Sequence, residues 1–360
     1  MKLSQFLPLV AVFCVALTMV PALHAEPLVI IDVVGVGDPG NAPDTAVMLN
    51  DYTSGYGAVA DPFNIGRYEV TISQYNTFLN AVASVTSDSY VVDLWNSSMQ
   101  TDANIAGISR AGSGTLADPY SYLVMGSENH PISYVSWHDA ARFANWMHNG
   151  ATAGASTETG AYTLNGATTG IILKNSEATW FLPSEDQWYK AAYYKGGGVS
   201  AGYWAYATQS DTVPDNTIGS PNTNQANYLK RSGNYTVTQS PVEDPNQNYL
   251  TDVGAFTGSP APYGTFDQSG SMYEWNDAVL NSTNRGKRGG NWDEWPIALA
   301  SDFRCYDVPT AEQSYTGFRL ASAAAAPEVP ESGTMAAGGM LLGGVVITAF
   351  LRRRRRDLTA

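Results

Sequence analysis

From Gly196 to Pro262 the chain is rich in Gly, Asn, Pro and Tyr and has almost no hydrophobic periodicity. A helix needs apolar residues at a spacing near 3.6, and a half-buried strand needs alternation. This stretch offers neither, so it predicts irregular backbone. Loops of this length inside a compact domain are usually functional or held by ligands. No fixed-period repeat marks a solenoid or a propeller.

Around that stretch, three segments repeat one local grammar of strand, polar cap and amphipathic helix. In FNIGRYEVT, Phe63 to Thr71, Thr71 or Ser73 would cap a helix whose apolar face is Tyr75, Phe78, Leu79 and Val82. In HPISYVSWHDAARFANW, Ser136 is the cap and Asp139 stands at its third position, with Ala140, Phe143, Ala144 and Met147 as the buried stripe. In WFLPSEDQWYKAAY, Ser184 caps, Gln187 closes the box, and Trp188, Ala191 and Ala192 face inward. Strands are also expected at Val29–Val34, near Arg285–Trp292, at Phe303–Cys305 and at Gly317–Ala321. Ser84 to Gly114 reads as loop.

The two ends carry sorting signals. Met1-Lys2, an apolar run from Phe6 to Val20 and Ala22-Leu23-His24-Ala25 predict a secretory signal peptide over residues 1–25. Val329-Pro330-Glu331-Ser332, the apolar run 335–351 and Arg352–Arg356 predict one membrane span with cytoplasmic arginines. This tail, 327–360, resembles the PEP-CTERM signal of Gram-negative bacteria. The resemblance implies an exosortase-type processing protease as a partner and a body, 26–326, that is exported to the envelope, outer surface or extracellular matrix.

The body between the signals keeps 13 of the 19 basic and 30 of the 33 acidic residues, a net charge of −17. Such an acidic surface disfavours nucleic acid as a partner and suits bound divalent cations. Of two cysteines, Cys14 falls in the leader, so Cys305 is alone in the body. No intramolecular disulfide and no two-cysteine metal site can form.

Six segments in order carry a family resemblance: IGRYEVT from Ile65, HPISYVSW from His130, FLPSEDQW from Phe181, YGTFDQSGSMYEW from Tyr263, Arg288-Gly-Gly290 and Gly317-Phe-Arg319. They resemble the formylglycine-generating enzyme, or sulfatase-modifying factor, family, over roughly Val29 to Ala321. The resemblance implies an irregular, loop-rich α+β fold related to C-type lectin-like domains, with structural calcium. It also implies oxidation of a sulfatase cysteine to formylglycine by copper held on two cysteines.

Calcium takes six to eight oxygens, mixing carboxylates with backbone carbonyls. Asp267, Gly270, Met272 and Glu274 lie close together around a glycine, and the resemblance makes these four the ligands of one ion. A second ion would begin at Asn227 and Tyr228, with later oxygens near Asn246 and Asn248. The copper positions, counted from Gly289-Gly290, hold Glu294 and Leu299. Glutamate is a poor copper(I) ligand and leucine is none. Copper is therefore not expected. Cys305 reads as a small apolar side chain in a strand. His130, His138 and His148 lack the spacing of a helical zinc site.

The expected function is accordingly a secreted or surface-displayed, non-catalytic domain stabilised by calcium, binding a glycan or other envelope polymer. The competing expectation is a formylglycine-generating oxidoreductase acting on sulfatase cysteines.

Overall fold

The computed structural model describes residues 27–84, 94–219, 222–230 and 233–324. The expected signal peptide and the expected tail, with its span and arginine cluster, lie outside these residues. Among the described residues no helix is long and apolar enough to cross a membrane.

All three capping boxes form. Helix α1 (Ile72–Val82) starts at Thr71, whose hydroxyl accepts from the Gln74 backbone N–H while the Gln74 side chain accepts from the Thr71 N–H. A four-residue helix, α2 (Ser98–Thr101), lies in a region expected to be loop. Helix α3 (Trp137–His148) and helix α4 (Glu185–Tyr193) begin at Ser136 and Ser184 with the same reciprocal bonds. A box satisfies two of the donors that a helix start leaves open, so short helices can begin at a defined residue.

Three sheets complete the architecture. Strands β1 (Val33–Val36), β2 (Phe63–Gly66), β5 (Trp180–Phe181) and β10 (Ala321–Ala323) form one, in the order β1-β2-β10-β5, all antiparallel. Strands β3 (Ile108–Ala111) and β4 (Ser121–Val124) form a hairpin. The third sheet has the order β8-β7-β6-β9, from β6 (Tyr273–Leu280), β7 (Asn284–Arg288), β8 (Cys305–Asp307) and β9 (Thr316–Gly317). The β6–β9 pairing is parallel and aligns Glu274 with Gly317. This mixture of few helices and several short sheets is an α+β fold. The segment between Gly196 and Pro262 carries only isolated bridges, such as Tyr206 with Ser210 and Leu229 with Tyr235.

The main core joins α1 and α3 to the first sheet. Tyr75, Phe78, Phe143, Trp146 and Phe318 pack ring on ring, with centroids between 5.2 Å and 6.5 Å apart. Burial of such rings dominates core energetics. Helix α3 is buried on all sides except at His148. Its polar side chains therefore face loops rather than water. The Asn145 amide donates to the Thr157 and Tyr162 carbonyls and accepts from the Tyr162 N–H.

The same device recurs wherever the backbone is irregular. Buried backbone carbonyls must find donors, and without ladders they find arginines. Arg288 donates to the Ser301 and Phe303 carbonyls, and Arg319 to those of Gly66, Arg67 and Phe266. Arg285 holds the carbonyls of Asp277 and Ile172. All three arginines are almost fully buried.

Candidate functional site

The two carboxylates among the residues expected to hold calcium, the buried Glu274 and the half-buried Asp267, lie within electrostatic reach of one another and form a carboxylate hub. Glu274 is the second residue of β6, not part of a loop. Arg319 Nε donates to its Oε2 at 2.6 Å, Arg319 Nη2 to its Oε1 at 2.6 Å, and the Trp188 indole to Oε2 at 2.8 Å. Each carboxylate oxygen has two lone-pair sites. Oε2 has used both and Oε1 has one left.

The loop before β6 winds tightly, because Asp267, Gly270 and Ser271 all have positive φ. Gly270 is the residue that cannot change. Its φ is +92°, and a Cβ there would stand 2.3 Å from the Asn227 carbonyl oxygen. That carbonyl accepts from the Ser271 N–H at 2.8 Å, so the two expected calcium segments touch.

Asp267 accepts from the Gly254 N–H at 2.6 Å. Burial, with the charge of Glu274 adding to it, pushes its carboxyl up to about 6, against the pull of that N–H and of Arg319. Sequence reasoning missed the third member, Glu69. It ends the Arg67-Tyr-Glu segment just before the α1 cap and is buried at 2% exposure. Burial first, then the negative charges of Asp267 and Glu274, hold it well above the usual carboxylate range. Its Oε1 has no hydrogen-bond partner and its Oε2 takes a long bond of 3.4 Å from Ser271 Oγ, while the Met272 backbone N–H and the charge of Arg319 pull the carboxyl down again only in part. Two buried carboxyls, Glu69 and Glu274, and the half-buried Asp267 thus share one arginine. Among the described residues no three His, Cys, Asp or Glu side chains converge into a metal-binding group. An ion at this hub would draw the rest of its shell from backbone oxygens, as calcium commonly does.

The second expected calcium segment is occupied by hydrogen bonds. The Asn227 amide donates to the Tyr249 carbonyl, the Tyr228 carbonyl accepts from Thr236 Oγ1 and Asn216, and Asn248 donates to the Ala106 carbonyl. Asn246 turns back on Asp244. These contacts hold the long aperiodic loop against the body and leave the buried Asn216 amide oxygen without a hydrogen-bond partner.

The segment after Arg288-Gly-Gly290 carries the expected copper positions. Leu299 is wholly buried at the end of a 3-10 turn, Pro296–Leu299. Its Cδ1 lies only 2.8 Å from where a Gly290 Cβ would stand, so glycine makes room for it. It packs with Tyr206, Tyr228, Tyr273 and Ala298 as an ordinary core side chain. Glu294 is half-buried, and burial raises its carboxyl. Cys305 opens β8 opposite Lys287. Burial pushes its thiol up, Asp307 and Glu294 push the same way, and Lys287 opposes them. A thiol held protonated is a poor nucleophile and a poor metal ligand. The histidines lie apart from it: His138 Nδ1 contacts the Pro309 carbonyl, His148 contacts Thr179, and His130 Nε2 lies 3.6 Å from Asp252.

Beside this segment opens a cleft of about 780 Å³. The irregular loop after α4 supplies Tyr203, Trp204, Tyr206 and Asp211. The 3-10 turn supplies Trp295 and Ile297, with Asp302 just beyond, and the N-terminal loop supplies Asp44 and Leu49. Its rim is apolar and open: Trp295 is 56% exposed, Ile297 55% and Leu49 47%. A contiguous exposed apolar rim around a concave site marks a place where something binds. The only sequence signal for it was the length of the aperiodic loop. A second cleft, of about 670 Å³, runs past Asp51, Asn281, Arg304 and Cys305.

With this geometry in hand, comparison with known proteins places the chain. The model of the family described as sulfatase-modifying factor enzyme 1-like domain (FGE-sulfatase) matches residues 52–324. Among solved structures, that titled "Crystal Structure of CarF" is 20% identical, covering 82% of this chain and 99% of that one at a TM-score of 0.46. Treponema denticola variable protein 1 is 18% identical, covering 81% and 95% at 0.43. PvdO from Pseudomonas aeruginosa is 16% identical, covering 82% and 92% at 0.41. No curated protein matches the chain.

Proposed function

The chain belongs to the sulfatase-modifying factor enzyme 1-like family, and from that premise we propose that this copy binds a ligand and does not oxidise one. The observation that carries the reading is the state of the segment beyond Gly290. One family cysteine position is the half-buried Glu294 and the other is Leu299, wholly buried and packed as core. Neither offers sulfur to copper(I), which soft ligands select. Cys305, the only cysteine among the described residues, has its thiol pushed toward the protonated form.

The domain is read as a calcium-stabilised module of the bacterial envelope or matrix, related in fold to C-type lectin-like domains. It would reach the surface through the expected leader and be processed at its tail by an exosortase-type protease. The cleft edged by Trp295 and Ile297 is the place for a glycan or other envelope polymer, because aromatic faces and an open apolar rim suit such a chain. Calcium fits the hub. Asp267 and Glu69 would hold it by carboxylate, and the loop through Gly270 and Met272 would add backbone oxygens. When bound, the ion supplies the positive charge that Glu69, Glu274 and Asp267 share too little of. The unpartnered Glu69 Oε1 is the support for this.

Two measurements decide the reading. The full-length chain is incubated with a sulfatase-derived peptide, copper and oxygen, and formylglycine is sought by mass spectrometry. No product is expected. Product that disappears on Cys305→Ser would establish the oxidase instead. In parallel the chain is screened against glycan and matrix-polymer arrays in calcium, where silence across the arrays counts against a binding module.

A further inference from the structure

We propose that the cleft beside Pro296–Leu299 takes an amine-bearing glycan, with a protonated amino sugar seated between its carboxylates and its aromatic rings. The inference deepens the binding-module reading above and rests on it.

The charge of the cleft is one-sided. Asp44, Asp211 and Asp302 line it, and no lysine, arginine or histidine does. Among the described residues neither Asp44 nor Asp302 forms an ion pair; of the three, Asp211 alone does, with Lys195 at 4.0 Å. Asp44 accepts from the Tyr189 hydroxyl and the Ala46 N–H. Asp302 is half-buried, and its carboxyl is raised by burial and further by the charge of Asp44, against Arg288. Two carboxylates that repel one another are relieved by a cation placed between them.

The rings decide what kind of cation. Tyr203, Trp204, Tyr206 and Trp295 share the cleft with the carboxylates. A cavity of about 780 Å³ is far larger than a bare ion needs, and falls in the range of sites for organic ligands. Aromatic faces attract ammonium groups and also stack apolar faces. The chain itself displays half of the chemistry: the Lys195 ammonium lies 4.3 Å from the Trp204 ring centroid, on the side toward Asp211. A sugar ring with an ammonium substituent would use the rings and the carboxylates together. A neutral sugar would leave Asp44 and Asp302 without a cationic partner.

The test uses the full-length chain and three soluble probes, read by calorimetry and by tryptophan fluorescence: a glucosamine tetramer, the N-acetylglucosamine tetramer and tetralysine. The glucosamine tetramer is expected to bind, and to weaken as salt rises. The acetylated tetramer has the same rings without the charge and should bind at least about tenfold more weakly, the worth of one charge-assisted hydrogen bond. Asp302→Asn and Trp295→Ala should each weaken the glucosamine tetramer by a similar factor, with melting temperatures unchanged.

Equal affinity for both tetramers overturns the amine while leaving a glycan-binding module standing. Tetralysine binding as tightly as the glucosamine tetramer overturns the sugar. Displacement of the glucosamine tetramer by calcium that Asp302→Asn abolishes identifies an ion site instead. If neither tetramer binds, the proposal fails. The binding-module reading fails with it only if the wider arrays are silent as well.

Discussion

Arg319 forks onto Glu274 with two bonds of 2.6 Å, and both side chains are wholly buried. The parallel alignment of Gly317 with Glu274 brings this about, because Arg319 follows two residues later and reaches back. The pair ties the last strands to β6, and Arg319 spends its remaining donors on the carbonyls of Gly66, Arg67 and Phe266.

Removing one partner of this pair strands the other. Arg319→Met leaves Glu274 charged, buried and unpaired, and orphans three carbonyls. A loss of about 3–5 kcal/mol is expected, read by urea denaturation. Glu274→Gln should cost less, because the amide oxygen still accepts from Arg319 and Trp188. A smaller loss for Arg319→Met than for Glu274→Gln would contradict this account.

The hub also sets a pH dependence. Asp267 is pushed up to about 6 in the folded chain from an ordinary 3.8, and the half-buried Asp277, outside the hub beside Arg285, up to about 7. A raised carboxyl binds its proton more tightly folded than unfolded. The stability it confers is therefore complete below pH ~4 and is lost as pH rises through the folded value. With calcium chelated, stability should fall between about pH 4 and 7. Asp267→Asn should remove about 2–3 kcal/mol of that fall, and an unchanged slope would argue against a perturbed Asp267.

Calcium should oppose that fall. The ion competes with protons for the same oxygens, so its effect on the melting temperature should be greater at pH 7 than at pH 5. At a hundredfold excess over its Kd, one ion adds about 2.7 kcal/mol. Glu69→Gln together with Asp267→Asn should abolish the response. A melt unaltered by chelator at pH 7 would remove calcium from the hub.

Gly270→Ala should be among the most damaging small substitutions. It places a Cβ at positive φ and 2.3 Å from the Asn227 carbonyl oxygen, so the loop must shift. We expect a loss above ~1 kcal/mol, the cost of the backbone conformation alone, and faster hydrogen exchange at Ser271, whose N–H depends on that carbonyl.

Leu299→Ala should destabilise by about 2–5 kcal/mol, as for a buried leucine that leaves a cavity. Cys305→Ser should change stability little, and the Cys305 thiol should alkylate more slowly than a free cysteine at pH 8, because burial raises it. Rapid alkylation would show an accessible thiolate and reopen the catalytic question.

Much of the fold was legible beforehand because its signals are local. Thr71, one of two caps expected for α1, and Ser136 and Ser184 cap their helices, and the apolar stripes on α1, α3 and α4 are buried except at the half-buried Val82. A cap and its box lie within four residues, so nothing distant is needed to read them. Strand positions were less exact: the strand expected at Val29–Val34 is Val33–Val36, and the longest strand, β6, takes in Glu274, the last of the four expected calcium ligands. Strands depend on partners far away in the chain, and β6 owes its length to β7 and β9 on either side.

The sequence by itself determined the family, the helix starts, the lone Cys305 between residues 26 and 326, and the presence of Glu294 and Leu299 where the resemblance led copper ligands to be expected. Each of these is a matter of residue type and short spacing. Only the tertiary structure decided that Glu274 is bound to Arg319, that the buried Glu69 joins Asp267 and Glu274 with its Oε1 unpartnered, and that Asp44, Asp211 and Asp302 line one cleft with Trp204 and Trp295. Those groups come from segments far apart in the chain. Their charges matter only at ångström separations in a medium drier than water, and no local pattern records which distant segments the packing of an irregular backbone will bring together.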